Sequence, residues 1–314
     1  MLDDEPIDCA DPCLVDAFFG VAEFLMTNFF LPCRYCYSLD SRKLTNKLPV
    51  RAATHKTRQP SPTHYEALQR VLSQEERVRM DGFIGTPERL KAFRKSCLER
   101  DRNRCVATSV FNVDEADARV TRWGQGQALD DDGNVLTIDE QVDSLEVVHI
   151  IPYGLTKADD SCVNEGKKAA IAILNMFDLG VANLLEGVDI NRPYNGITLS
   201  HRMHEFFGKF KIFFKHLPAD DVSTTYPPST YYIGSFKQPI AAKPLPLVRT
   251  LFTHPTIDSP SPRLLAIHNA IAHILHLSAA GDYMDKVLSD MEEGVVCGDG
   301  STQLGLMVQL ALSV

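Results

Sequence analysis

Residues 145–152 read LEVVHIIP, a histidine set inside an apolar run and closed by a proline. Val147, Val148, Ile150 and Ile151 flank His149, and β-branched residues at this density specify a strand. A strand this apolar needs a partner for its backbone hydrogen bonds and an element to cover its faces. The following stretch supplies both. Residues 189–196, DINRPYNG, are turn chemistry; Ile197–Leu199 is a short strand; His201–Gly208 is a short helix carrying His204. Phe206, Phe207, Phe210 and Phe213 give that helix an apolar reason to fold back on the strands. The order is strand, long insert, strand, helix.

The chain around this unit reads as α+β. Apolar residues make up 44% and charged residues 23% of its 314 positions, enough for a sizeable buried core. No stretch reaches the roughly 18–20 uncharged apolar residues of a membrane-crossing helix. The nearest, at 14–31, contains Asp16 and Glu23 and reads as a buried helix, not a leader or membrane segment. With eight cysteines and that reading, reduced thiols in an intracellular protein, cytoplasmic or nuclear, are the expectation. Cys9, Cys13, Cys33 and Cys36 have spacings that a structural zinc uses, but the greasy interval between the pairs favours buried thiols.

Four segments are expected. Residues 1–62 hold the apolar helix and a basic linker at 41–62. Residues 63–103 form a helical segment, in which Thr86-Pro87 starts a helix with a basic face. Residues 104–255 form the core. Strand-like pieces at 104–112 and 118–124 come first there, then an acidic turn at 129–134, and a helix at 162–186 with Ile171, Leu174, Phe177, Val181 and Leu184 on one face. Later strands fall at 230–236 and 247–253. Residues 256–314 form C-terminal helices packed on the core, broken at Gly281. His268, His273 and His276 on the first of these read as core-edge residues, since one helix rarely supplies a zinc shell.

Phosphodiester hydrolysis needs a base for water and a cation to offset charge on the phosphate. Histidine suits the first task and a divalent ion with few protein ligands the second. His149, at a strand end, can face a groove, and Asn195 starts the next strand at a tight turn. His204 follows Asn195 by nine residues. These residues, in LEVVHIIP, RPYNGITLSHRMHEFF and FGKFKIFF, resemble the HNH endonuclease family, and more narrowly the HNH domains of fungal proteins. CVAT at 105–108 is similar to the opening of such domains and HNAIAHILHLSAAGDYMD at 268–285 to a closing helix, a span of roughly 95–290. The resemblance implies a ββα-metal core with a long insert and cleavage of nucleic acid. It implies His149 as general base, Asn195 as loop-orienting residue or metal partner, and His204 as metal ligand for Mg²⁺, Mn²⁺ or Zn²⁺.

Two departures stand against that chemistry. The family's ligand position before the first histidine is Val148, and the position four residues after the last is Gly208. Asp143, Glu146, Asp189, His201 and Glu205 are near enough in sequence to substitute, and Asp189 and His201 are carried forward as possible ligands. The net charge of −9 also opposes non-specific binding to nucleic acid. The alternative is a repurposed HNH scaffold without a metal, binding a small molecule or transforming it, as in a cyclisation or rearrangement of fungal secondary metabolism. An interaction protein using the flanking helices as docking surfaces is a third reading. None of the three involves a membrane.

Overall fold

A computed structural model describes residues 12–37, 87–136, 142–152, 165–185, 187–217, 229–236, 247–278 and 280–293. The expected linker at 41–62, the first part of the helical segment (63–86), Cys9 and the tail at 294–314 lie outside the described residues. Among the described residues the structure mixes helices with three small sheets, as α+β requires.

Helix α1 (Pro12–Leu25) continues through a π-helical turn (Met26–Phe30) into helical residues 31–37. Buried Phe29, Phe30, Leu31, Cys33 and Tyr37 anchor this arm in the main core. Burial pushes the Cys33 thiol up, as expected of an inert packed cysteine. Helix α2 (Pro87–Arg100) is polar on most of its surface. Its buried residues, Phe93, Cys97 and Arg100, recur at helical spacing and define a single inward stripe.

The strand expectation for 118–124 is overturned. Strand β1 is only Phe111–Asn112, and residues Val113–Trp123 form helix α3. The reason is local. The Asn112 side chain accepts from the N–H of Asp114 at 2.9 Å and of Glu115 at 3.4 Å, a cap that outweighs the β preference of Val120 and Thr121. Acidic residues fill the first turn, and Glu115 pairs with Arg119 one turn on. β1 pairs in parallel with β2 (Val142–Asp143).

Strand β3 (Leu145–His149) pairs antiparallel with β4 (Gly196–Ser200), Leu145 opposite Ser200 and His149 opposite Gly196. Between them lie α4 (Glu165–Phe177) and 3-10 turns at Val181–Leu184, Gly187–Asn191 and Pro193–Asn195. α4 buries Ala170, Ile173 and Leu174; Ile171, expected on that face, points outward. Helix α5 (His201–Gly208) follows β4 directly. A second antiparallel sheet joins β5 (Ile212–His216), β6 (Thr230–Ser235) and β7 (Leu247–Thr250) in that order. Helix α6 (Pro262–Leu277) lies on β5, and α7 (Ala280–Glu293) leaves it at 90°. Among the described residues no single helix is long and apolar enough to cross a membrane.

α2 packs against the β3–β4 pair. At its end Arg100 and Asp101 are fully buried together. Arg100 Nε and Nη2 donate to the two Asp101 oxygens at 2.8 and 2.9 Å. Nη1 donates to Pro193 O at 2.7 Å and Asp258 O at 3.1 Å, and Nη2 also to Gly196 O at 2.8 Å. Asp101 Oδ2 accepts from Thr198 N–H at 3.1 Å.

His268 of α6 is fully buried and not at the core edge. It stacks on Phe207 at 3.6 Å, and its Nε2–H donates to Phe207 O at 3.0 Å. Burial pushes its pKa down to about 3 from 6.5, so the unfolded chain takes up a proton before the folded one does. Its stabilising contribution is complete above about 6.5 and is lost as pH falls toward 3.

Two outcomes follow. Asp101→Asn leaves a buried guanidinium without its counter-charge and lowers stability by about 3–5 kcal/mol in urea unfolding. Between pH 6.5 and 4, wild-type stability falls by on the order of 1 kcal/mol per pH unit more than that of His268→Phe, provided the variant folds.

Candidate active site around the β3–β4 pair

Side chains alternate along β3, so His149 and Glu146 lie on opposite faces, and Val148 shares the face of Glu146. Each face has its own helix. On the first, the ring of Phe93 from α2 stacks on His149 with centroids 4.5 Å apart and planes at 15°. A Cβ at Gly196, opposite His149, would come within 2.5 Å of Phe93 and 2.8 Å of Cys97 Sγ, so only glycine allows this approach. His149 is 7% exposed, and its Nε2 lies 2.9 Å from Asn191 Oδ1. An amide oxygen only accepts, so that ring nitrogen carries the proton and donates it.

Asn195 ties the loop after β3 to the turn before β4. Its Oδ1 accepts from Ile151 N–H at 2.9 Å, and its Nδ2 donates to Ile151 O at 3.1 Å and Ile190 O at 3.0 Å. The side chain is wholly buried, and both amide protons and its oxygen are engaged with backbone. This geometry suits the loop-orienting role and not the metal-partner role given as its alternative. Ile150 lies in the same loop, and Tyr37 OH donates to its carbonyl.

On the second face, α5 brings two histidines to one carboxylate. His201 Nδ1 donates to Glu146 Oε1 at 3.0 Å, and His204 Nδ1 donates to Oε2. His204 is 1% exposed. The two sit three apart on a helix and so share a side. Burial acts to raise the Glu146 carboxyl, but the bonds from His204 and His201 outweigh it and hold its pKa below the ordinary carboxylate value.

The structure therefore gathers Glu146, His201 and His204, and separately His149 with Asn191. Asp189 instead faces Arg192 at 3.7 Å, Glu205 pairs with Lys209, and Asp143 accepts from Ser144 N–H. Val148 is 2% exposed in the core. A side chain at Gly208 would begin 2.9 Å from Tyr37 Cβ, so the N-terminal arm occupies the space a ligand there would need.

The sequence reading passed over Asn191 and Phe93. Asn191 lay inside the same turn stretch as Asn195, where the nine-residue step drew attention to Asn195 alone. Phe93 had a signal: it and Cys97 are one turn apart on an otherwise polar helix.

Residues 114–215 match the model of the HNH endonuclease family, so the chain carries an HNH domain there. The match takes in β3, β4 and α5, and reaches neither 105–108 nor 268–285 nor α2. No curated protein and no solved structure matches the chain. An HNH domain indicates nuclease-type function in general, and HNH endonucleases generally use divalent metals. Among the described residues no three His, Cys, Asp or Glu side chains are grouped to hold a metal ion. His204 is held through Nδ1 by the Glu146 carboxylate, and this pair with His201 does not make up a metal shell.

Asn195→Ala is expected to remove at least about 2 kcal/mol of stability, since it leaves buried backbone groups of Ile151 and Ile190 unpaired. Chemical denaturation measures this, and hydrogen exchange should show faster opening at Ile151 N–H.

Proposed function

With residues 114–215 as an HNH domain, we propose that the protein is a metal-dependent nuclease that hydrolyses nucleic-acid phosphodiesters, with His149 as general base. The observation that carries this reading is the bond between His149 Nε2 and Asn191 Oδ1. It places a proton on Nε2 and orients the ring. A base needs a ring held in one orientation, and Asn191 supplies that hold. Phe93 backs the ring and Asn195 fixes the loop that carries it. The divalent ion that HNH endonucleases generally use would supply the offset of charge on the phosphate and the leaving oxygen, and among the described residues no three ligands are grouped to hold one.

The acidic total is offset locally. α2, which covers His149, exposes Lys91 and Lys95 and half-exposes Arg89 and Arg94, against Glu88 and Glu99. Such a helix meets a phosphate backbone on favourable terms even where the whole-molecule charge does not.

The repurposed-scaffold reading, in which the fold binds or transforms a small molecule, draws support from the same site. Val148 is buried, Tyr37 closes the place beside Gly208, and His149 is covered by Phe93. Plasmid and RNA cleavage with Mg²⁺, Mn²⁺ or Ni²⁺ decides between the two. The nuclease reading expects metal-dependent nicking that His149→Ala lowers by about 10²–10⁴-fold and Asn191→Ala lowers less. Cleavage that survives His149→Ala unchanged, or no cleavage with any of the three ions, would sink it.

A further inference from the structure

The peptide unit that joins Ile150 to Ile151 is held at both edges. Its N–H, on Ile151, donates to Asn195 Oδ1 at 2.9 Å, and its C=O, on Ile150, accepts from Tyr37 OH. A peptide unit is planar and turns as one body, so bonds on opposite edges fix its rotation, where either alone leaves a pivot. The unit before it, between His149 and Ile150, donates its N–H to Asn195 O at 2.8 Å. The chain therefore leaves His149 through two successive peptide units that are both held, and Tyr37 grips the second from the edge opposite Asn195.

Tyr37 is itself pinned. Its ring meets those of Phe207, Phe210 and His268 edge to face, with centroids at 6.0, 5.7 and 6.3 Å and planes at 90°, 83° and 87°. One turn back on the same helical arm, Arg34 donates to Gly281 O at 2.9 Å and pairs with Asp285 of α7. The hydroxyl is thus presented by a ring that packing holds in place, the condition for a donor to set the position of what it binds. Tyr37 lies outside the residues that match the HNH family and 113 positions before Ile150.

We propose that Tyr37 is a positioning residue for His149: with Asn195 it clamps the Ile150–Ile151 peptide unit and so fixes the strand end from which the imidazole reaches Phe93 and Asn191. The N-terminal arm is thereby part of the working site. This rests on the nuclease reading for what His149 does, but not for where its ring is held.

The test uses the full chain labelled with ¹⁵N. Tyr37→Phe removes the hydroxyl and keeps the ring; Tyr231→Phe makes the same change on β6, and both tyrosines are 2% exposed. In Tyr37→Phe, native-state hydrogen exchange at Ile151 N–H is expected to quicken about 2–10-fold, as one lost hydrogen bond gives. The ring ¹H signals of His149, shifted in the wild type by the stacked Phe93, are expected to move as well. Tyr231→Phe leaves both as in the wild type. Should Tyr37→Phe fail to fold, Gly208→Ala displaces the same ring, since its new Cβ begins 2.9 Å from Tyr37 Cβ, and is expected to show the same two changes. Ile151 exchange and His149 signals unchanged in folded Tyr37→Phe, or changed equally in Tyr231→Phe, overturn the assignment. Where the wild type cleaves nucleic acid, Tyr37→Phe lowers kcat about 10-fold with KM kept, and an unchanged kcat overturns the role in the reaction. Both spectroscopic changes in a protein whose wild type cleaves no nucleic acid uphold the hold on His149 and remove the phosphodiesterase reading instead.

Discussion

The buried pair of Arg100 and Asp101 is the joint on which the rest of the structure depends. Taking two charges out of water costs several kcal/mol per ion, and attraction between them recovers that only when the remaining donors are also satisfied. Here they are. A guanidinium has five N–H donors. Two go to Asp101, and the other three go to the carbonyls of Pro193, Gly196 and Asp258. Asp101 in turn accepts from the β4 backbone at Thr198. One residue pair thus joins the end of α2, the turn before β4, β4 itself and the segment that leads into α6.

That joint explains why two strands of five residues can hold a site at all. A lone two-stranded pair is marginal in water. This one is covered on one face by α2 and on the other by α5. With α2 fixed at its C-terminal end, Phe93 and Cys97 have nowhere to go but onto His149 and Gly196. The stacking of Phe93 on His149 follows from the position of Arg100 two turns further along the same helical stripe.

The strand, turn, strand and helix that frame the site were legible because each is set by local chemistry: β-branched density at 145–151, the turn at 189–196, the aromatic run after His201. The helix at 113–123 was not, because a single Asn112 cap decides it against the local β preference. Of the site, His149, Asn195 and His204 were found by spacing. Asn191 was not, and Glu146 was only one of five possible substitute ligands, since what defines them is a contact across 42 and 58 residues of chain, which no periodicity encodes. The orientation of Ile171 was misjudged for a related reason: a helix of this kind has several apolar positions, and what covers it selects among them.

The departures at Val148 and Gly208 acquire a physical meaning from their neighbours. Position 208 is closed by Tyr37, a residue of the N-terminal arm whose hydroxyl also donates to Ile150 O beside His149. Position 148 is packed into the same core that holds the arm. Both positions are therefore places where segments outside the matched residues pack against the core. A chain with a carboxylate at 208 could not seat Tyr37 there, and without Tyr37 the loop after His149 would lose a side-chain tether that acts beside Asn195. The arm and α2 thus brace the ring and loop at His149, and on the opposite face Glu146 is the charged group that this arrangement leaves against His204.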